Sequence, residues 1–302
     1  YYFENDRSKL VQTSIDTYKL PYEMKRNLLV NCIYGVDKDF NAVEACKFGL
    51  LLKLLEDEDV NSLSSFHPIL PDLSNNIFYG NSLLSTADVP ADDAFEINPF
   101  DFGDRTFDLI VGNPPYMKTE DIKAFTPKEK SLYEKGNRYT SAYKQYDKYF
   151  LFIERALNLL KPDGYLGYVV PNKFMKVGAA KELRNFIANN AYLKTMISFG
   201  AHQVFADKST YTCIIVLEKN KHENFKYSEV SDFIGWRVRN VNAYKFCDRP
   251  SVTINADTWI LCTDEHLPLL NAVTAHTKPL GDIVGDDYIF NGIQTSANKI
   301  YV

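Results

Sequence analysis

Asp108-Leu109-Ile110-Val111-Gly112-Asn113-Pro114-Pro115-Tyr116 is the stretch whose reading sets the fold class. An apolar run between an acid and a glycine reads as a buried parallel strand. Two consecutive prolines then withhold the N–H groups that a sheet would need. Asn113, preceding a proline, is pushed toward extended backbone. The expectation is a stiff loop at the carboxyl end of a strand, where open α/β sheets hold their ligands. The Asn113 side-chain oxygen and the Pro114 carbonyl are two nearby acceptors, and the ring nitrogens of Pro114 and Pro115 cannot donate. Such a pair suits a planar NH₂ group, because accepting both its hydrogens favours the pyramidal nitrogen that forms as the lone pair attacks an electrophile. Tyr116 adds an aromatic face for a flat ring. A proline-rich turn with Tyr116 as ordinary packing is the competing reading. The strand before the loop, with its acid, favours a functional one.

Outward from this stretch, strands and helices alternate. Cys32 to Asp37 reads as a short strand ending on an acid, and Asn41 to Leu55 as a helix of broad 3.6 period. Ile77 to Leu84 reads as the third strand with its exit loop. Ala87 to Asp104 reads as a solvated acidic loop. Tyr149 to Leu160 is an amphipathic helix stopped by Lys161-Pro162-Asp163-Gly164. Tyr165 to Val170 is the next buried strand, followed by a helix from about Ala179 to Asn189 and a strand from Leu193 to Phe199. Tyr211 to Leu217 is a strongly β-prone strand, suited to an antiparallel hairpin. Beyond Lys219 the pattern changes: Ser228 to Tyr244 reads as helical, Val252 to Leu261 as a strand and Glu265 to Ala275 as a helix. The alternation predicts an α/β fold with a doubly wound, mostly parallel sheet. The expected division is a catalytic domain over residues 1–220 and an α/β extension over 221–302.

The Asn-Pro-Pro-Tyr segment resembles the motif of the amino-methyltransferases, specifically the gamma-class DNA N6-adenine methyltransferases of restriction–modification systems. That resemblance implies a Rossmann-like fold, S-adenosylmethionine as cofactor and double-stranded DNA as partner. It also implies that Asn113, Pro114 and Pro115 form the loop binding the amine of an adenine flipped out of the duplex, with Tyr116 stacked on it. Asp37, ending Gly35-Val36-Asp37, inherits the role of binding the cofactor's ribose; as a bare pattern it also fits an N-cap for the following helix. Asn81 stands where many members carry an aspartate that accepts from the cofactor's adenine amine, with a simple Asx-turn as the alternative. Val204-Phe205, before a short polar loop and a β-prone strand, resembles the family's eighth motif, which makes Phe205 a second clamp on the flipped base. Gly292-Ile293-Gln294-Thr295 resembles the entry to a target-recognition domain.

The Asp/Glu-Pro-x-x-Gly-x-Gly signature that cradles the cofactor's methionine end is missing, since Gly35 is the first glycine. By the family's motif order the chain is therefore expected to be a catalytic segment of a longer protein, inactive alone. Nuclease and target-recognition modules are expected elsewhere in the parent. A protein-glutamine or RNA methyltransferase, or an inactive DNA-binding scaffold, remains an alternative.

Composition sets further bounds. With 302 residues, 45% hydrophobic and 14% aromatic, the chain can bury a large core. Its five cysteines form no CxxC pair, and those in apolar runs, such as Cys213, read as buried thiols in a reducing compartment. The five histidines show no metal-ligand spacing. Neither a signal sequence nor a membrane-length apolar run occurs, and the chain reads as cytoplasmic. A net charge of −5 argues against a general nucleic-acid coat protein. The distribution matters more than the sum. Met117 to Lys148 carries eight bases and five acids interleaved with Phe125, Tyr133, Tyr139, Tyr143 and Tyr146. Lys118, Lys123, Arg138 and Lys144 in this segment are candidates to track a DNA backbone. A solvated, flexible insertion is the alternative.

Overall fold

A computed structural model describes residue 4 and residues 6–205, 210–278 and 280–285. The chain divides into two compact units, Tyr1–Phe107 with Pro115–Leu159, and Asp108–Pro114 with Leu160–Val302. The parting therefore does not follow the expected boundary at residue 220. Ala206 and Asp207, directly after Phe205, and the Gly292–Thr295 segment lie outside the described residues.

The first unit opens with an antiparallel pair, β1 (Val11–Gln12) and β2 (Tyr18–Lys19), followed by helix α1 (Tyr22–Cys32). Cys32 ends this helix, so the expected strand shortens to β3 (Gly35–Asp37). The buried Asn76 explains the stop: its side-chain amide donates to the carbonyls of Val30 at 2.8 Å and Ile33 at 2.9 Å, which the helix cannot satisfy itself. Strand β3 pairs in parallel with β4 (Ile77–Tyr79), and helix α2 (Phe40–Leu55) lies between them in the chain. Asp39 caps α2 by accepting from Asn41 N at 2.8 Å. Leu54 of α2 joins Tyr22, Leu29 and Leu73 in a buried cluster. Within the expected acidic loop, short helical turns at Thr86–Asp88, Ala91–Asp93 and Ala94–Ile97 bury Ile97.

The basic segment is ordered. Helices α3 (Thr119–Phe125) and α4 (Pro127–Glu134) bury Ile122, Leu132 and Tyr133, and α5 (Lys148–Leu159) buries Phe150, Leu151, Ile153 and Leu157. The Glu154 carboxylate on α5 accepts from Thr140 N at 3.0 Å and Ser141 N at 2.9 Å, fixing the approach to that helix. Tyr133, Tyr139 and Tyr146 are core residues. The interleaved aromatics are thus mostly packing, and the flexible-insertion reading is set aside; Phe125 is exposed.

The second unit is built on a six-stranded sheet of order β10-β9-β7-β8-β6-β5. Its strands are β5 (Phe107–Gly112), β6 (Leu160–Pro171), β7 (Leu193–Ser198), β8 (Thr212–Glu218), β9 (Asn224–Glu229) and β10 (Cys247–Pro250). Strand β8 runs against both β6 and β7, which is the expected hairpin arrangement, and β7 is parallel to β9. The doubly wound α/β fold thus contains two reversed strands, β8 and β10. Strand β5 corrects the reading of a buried strand: it ends the sheet order, and Leu109 and Val111 are 61% and 70% exposed.

Two further readings fail for identifiable reasons. The expected helix from Ser228 begins inside β9, which runs to Glu229 and whose Phe225 and Tyr227 are buried at period two. Only Phe233–Arg237 of the predicted helix is α-helical (α6 here is Lys181–Asn189, and α7 is Phe233–Arg237). The expected strand Val252–Leu261 is irregular because distant partners claim its backbone: the Arg184 side chain of α6 donates to Ala256 O at 3.0 Å, and the backbone Trp259 N donates to Met175 O at 2.9 Å. The expected helix near Glu265 is α8 (Leu267–His276). Cys213 is buried, whereas Cys32 and Cys46 are exposed. Among the described residues no helix is long and apolar enough to cross a membrane.

Candidate active site

In the second unit, β5 delivers the loop. A Cβ on Gly112 would stand 3.1 Å from the buried Tyr168 ring, so a side chain there would need that ring to give by a few tenths of an ångström. Asn113 follows at the exposed exit, and Pro114 is buried. Neither Pro114 nor Pro115 has an N–H, so the Asn113 side chain cannot close the local turn onto residue i+2 that asparagine ordinarily makes. Asp108 at the strand's start pairs with Lys161 at 2.8 Å, and that contact lowers its carboxyl below the usual value. Phe205 of the same unit is half-buried, just beyond the turn at Gly200, whose φ of 53° is the left-handed region glycine favours.

In the first unit the loop continues through Pro115 to Tyr116. The Tyr116 ring meets Tyr149 edge-on at 6.1 Å, and Tyr149 meets Phe150 at 4.7 Å. The next residue is fastened to α5, because Lys148 N donates to Met117 O at 2.8 Å. Tyr116 is therefore held by the start of a buried helix while remaining partly exposed.

The same unit holds the two candidate cofactor residues on adjacent strands. Asp37 ends β3 opposite Tyr79 of β4, and Gly80 N donates to Asp37 O at 2.8 Å. Asp37 is exposed, and its Oδ1 accepts from Asp39 N at 2.7 Å. The helix cap is Asp39, which removes the N-cap alternative for Asp37. Phe40 and Tyr79, both exposed, meet edge-on at 5.7 Å beside it. An exposed carboxylate next to two exposed rings fits a nucleoside: the acid for paired ribose hydroxyls, the rings for the base. These two aromatics escaped the sequence reading, although their places, three residues after a strand-ending acid and directly before Gly80, were visible.

Asn81 is 5% exposed. Its Oδ1 accepts from Leu83 N at 3.1 Å, which is the Asx-turn alternative, and its Nδ2 donates to Tyr133 OH at 3.4 Å. It shapes the exit of β4 from within. Behind it lies a buried group that the sequence reading missed. Tyr133 OH donates to Glu129 Oε2 at 2.7 Å, Lys148 Nζ lies 3.2 Å from the same oxygen, and Lys38 Nζ pairs with Oε1. Burial pushes the Glu129 carboxyl up, but Lys148, Lys38 and Tyr133 outweigh it and hold it below the ordinary value. Burial lowers Lys148 despite Glu129. Burial and the adjacent carboxylate raise the Tyr133 hydroxyl. The signal available was the spacing Glu129, Leu132, Tyr133, one face of a helix with Pro127 at its start.

Of the basic candidates, Lys118 and Lys123 are exposed around α3. Lys144 is exposed with its ammonium 5.0 Å from the Tyr143 ring centroid. Arg138 is engaged elsewhere: it pairs with Asp88 and donates from Nε to Leu83 O at 3.2 Å. That closes a fold contact rather than presenting a cation.

Comparison with known proteins gives the chain a family. A family described as Eco57I restriction-modification methylase matches residues 31–205. The type II restriction enzyme and methyltransferase RM.Eco57I of Escherichia coli is 50% identical over 303 residues, covering 100% of this chain and 30% of that protein. The type II methyltransferase M.PaeR7I of Pseudomonas aeruginosa is 33% identical over 208 residues, covering 65% of this chain and 35% of its own length. The chain thus spans about a third of the curated relatives it matches. Among solved structures, the cryo-EM structure of a DrdV–DNA complex aligns with a TM-score of 0.54 at 15% identity, covering 82% of this chain and 26% of that one. That likeness is one of fold.

Proposed function

The chain belongs to the Eco57I restriction-modification methylase family, and from that premise we propose that it methylates the exocyclic N6 amine of adenine in duplex DNA. The observation that carries this reading is the place of Asn113 at an exposed strand exit, directly before two prolines that have no N–H for the usual asparagine turn. Asn113 Oδ1 and Pro114 O would accept the two hydrogens of the target amine. Each bond would draw density toward the nitrogen and stabilise the positive charge that grows there as it gains a second carbon and a fourth bond; the nitrogen then gives up one of its two protons to solvent, and the thioether S-adenosylhomocysteine is the leaving group. Tyr116, braced edge-on by Tyr149, would stack on the extruded base, with Phe205 as a second aromatic wall. Asp37 would hold the ribose of S-adenosylmethionine, and Asn81 would fix the neighbouring exit through the turn it closes on Leu83. When bound, S-adenosylmethionine supplies a methyl group activated by a sulfonium. The remaining work is alignment, which is worth several kcal/mol in such transfers.

Lys118, Lys123 and Lys144 would contact phosphates around the target. By analogy with the E. coli relative, whose name joins a restriction enzyme to a methyltransferase, nuclease and target-recognition modules would act with this segment. The test is incubation of the full-length enzyme with methyl-labelled S-adenosylmethionine and duplex DNA, RNA or protein, followed by digestion to monomers. Label recovered as N6-methyldeoxyadenosine supports the reading. Label only in RNA or protein, or none at all, refutes it.

A further inference from the structure

A carboxylate at 3% exposure is expensive to keep unless several partners claim it. Glu129 is claimed by three, and each leads somewhere functional within the first unit. Lys38, on Oε1, is the residue after Asp37. Tyr133, on Oε2, passes the contact to Asn81 at the exit of β4. Lys148, also on Oε2, is the residue whose N–H holds Met117, next to Tyr116. The exits of β3 and β4 and the far side of the Asn-Pro-Pro-Tyr loop thus converge on one buried carboxylate contributed by α4.

We propose that Glu129 is a positioning residue for the cofactor: it fixes Lys38 and Asn81 relative to one another, and so sets the spacing of the two strand exits that grip the adenosine part of S-adenosylmethionine. It touches neither cofactor nor base. This rests on the cofactor site proposed above, so the two can fail separately. Exposed surface pairs are worth little, but a buried carboxylate shared by two ammonium groups and a phenol is rigid, because releasing any partner leaves charge without solvent. A neutral side chain of the same shape keeps the volume and loses that rigidity. The strand exits then sample more positions, and the cofactor must order them on binding.

Isothermal titration of the full-length enzyme with S-adenosylhomocysteine, alongside steady-state kinetics, tests this. Glu129→Gln is expected to weaken binding about tenfold and raise KM for S-adenosylmethionine by a similar factor, as is usual when a residue behind a ligand contact is removed. The kcat and the KM for DNA should stay within about twofold. Glu129→Asp, which keeps the charge, should recover part of the loss. If Glu129→Gln does not fold, Lys38→Met carries the test, since Lys38 lies partly at the surface; about threefold weaker binding is then expected. A lowered melting temperature with unchanged affinity in the variant that folds would overturn the positioning role. Asp37→Ala serves as the separate control: if it leaves binding intact, the cofactor site itself is misplaced, whatever Glu129 does.

Discussion

Two asparagines in this molecule follow a glycine at the carboxyl end of a strand, Gly80-Asn81 in the first unit and Gly112-Asn113 in the second. Each glycine lies close to a neighbour: a Cβ would stand 2.6 Å from Phe100 Cβ at the first, which leaves no room for it, and 3.1 Å from the Tyr168 ring at the second, which is tight. There the likeness ends. Asn81 is followed by Ser82-Leu83, and its Oδ1 accepts from Leu83 N at 3.1 Å while its Nδ2 reaches Tyr133. It is consumed by the fold. Asn113 is followed by Pro114-Pro115 and sits at an exposed exit. The residue after next decides whether a strand-end asparagine can close the turn that Asn81 closes, because that residue either has an N–H or lacks one.

The sharpest way to break this contrast is Asn113→Ala. Loss of one preorganised polar contact in a transfer reaction costs about 10²–10³ in kcat, and the exposed position predicts an unchanged melting temperature. A smaller change sharpens it: Pro115→Leu would give residue i+2 an N–H and let Asn113 close the turn that Asn81 closes. A fall of about tenfold or more in kcat is expected, equal to the roughly 1.4 kcal/mol of one diverted hydrogen bond; unchanged kcat would show that the second proline does not govern presentation. Acid separates the units next. Glu129 titrates below its ordinary value of 4.5 in the folded protein, so the unfolded chain takes up the proton first as pH falls. The stability it contributes is present above about pH 4.5 and is lost on descending through the folded value. Chemical denaturation followed by circular dichroism should show the wild type losing more stability than Glu129→Gln as pH falls below about 4.5, the two converging once Glu129 is protonated, because the glutamine has no such proton to gain. The smallest effect belongs to the surface cations. Lys118→Ala and Lys123→Ala should each weaken duplex binding a few-fold, uniformly across sequences, and lower the salt slope by about one. Arg138→Ala should instead lower stability, since its guanidinium pairs with Asp88.

Where local chemistry decides, the sequence was readable. The Asn-Pro-Pro-Tyr loop, the Asp37 strand end, helices α2 and α5, and reversed strand β8 all follow from prolines, caps and hydrophobic period. What escaped depends on partners distant in the chain. Tyr133, Tyr139 and Tyr146 read as part of a segment tracking a DNA backbone because they sit among lysines, yet they are buried. The Val252–Leu261 segment has strand-like composition, but Arg184 and Met175, about seventy to eighty residues earlier, claim its backbone. Glu129 reads as one acid among several in a charged helix, and only its approach to Lys38, ninety-one residues away, marks it. Even β5, apolar enough to read as buried, ends the order of its sheet.

The most direct test pairs Asn113→Ala with Asn81→Ala in the full-length enzyme, measuring kcat and melting temperature for both. The account predicts a crossed result. Asn113→Ala should lose about 10²–10³ in kcat at unchanged melting temperature. Asn81→Ala should lower the melting temperature, as one or two buried hydrogen bonds of about 1–3 kcal/mol are given up, and raise KM for S-adenosylmethionine with kcat little altered. Both variants losing kcat alike, with neither losing stability, would contradict it.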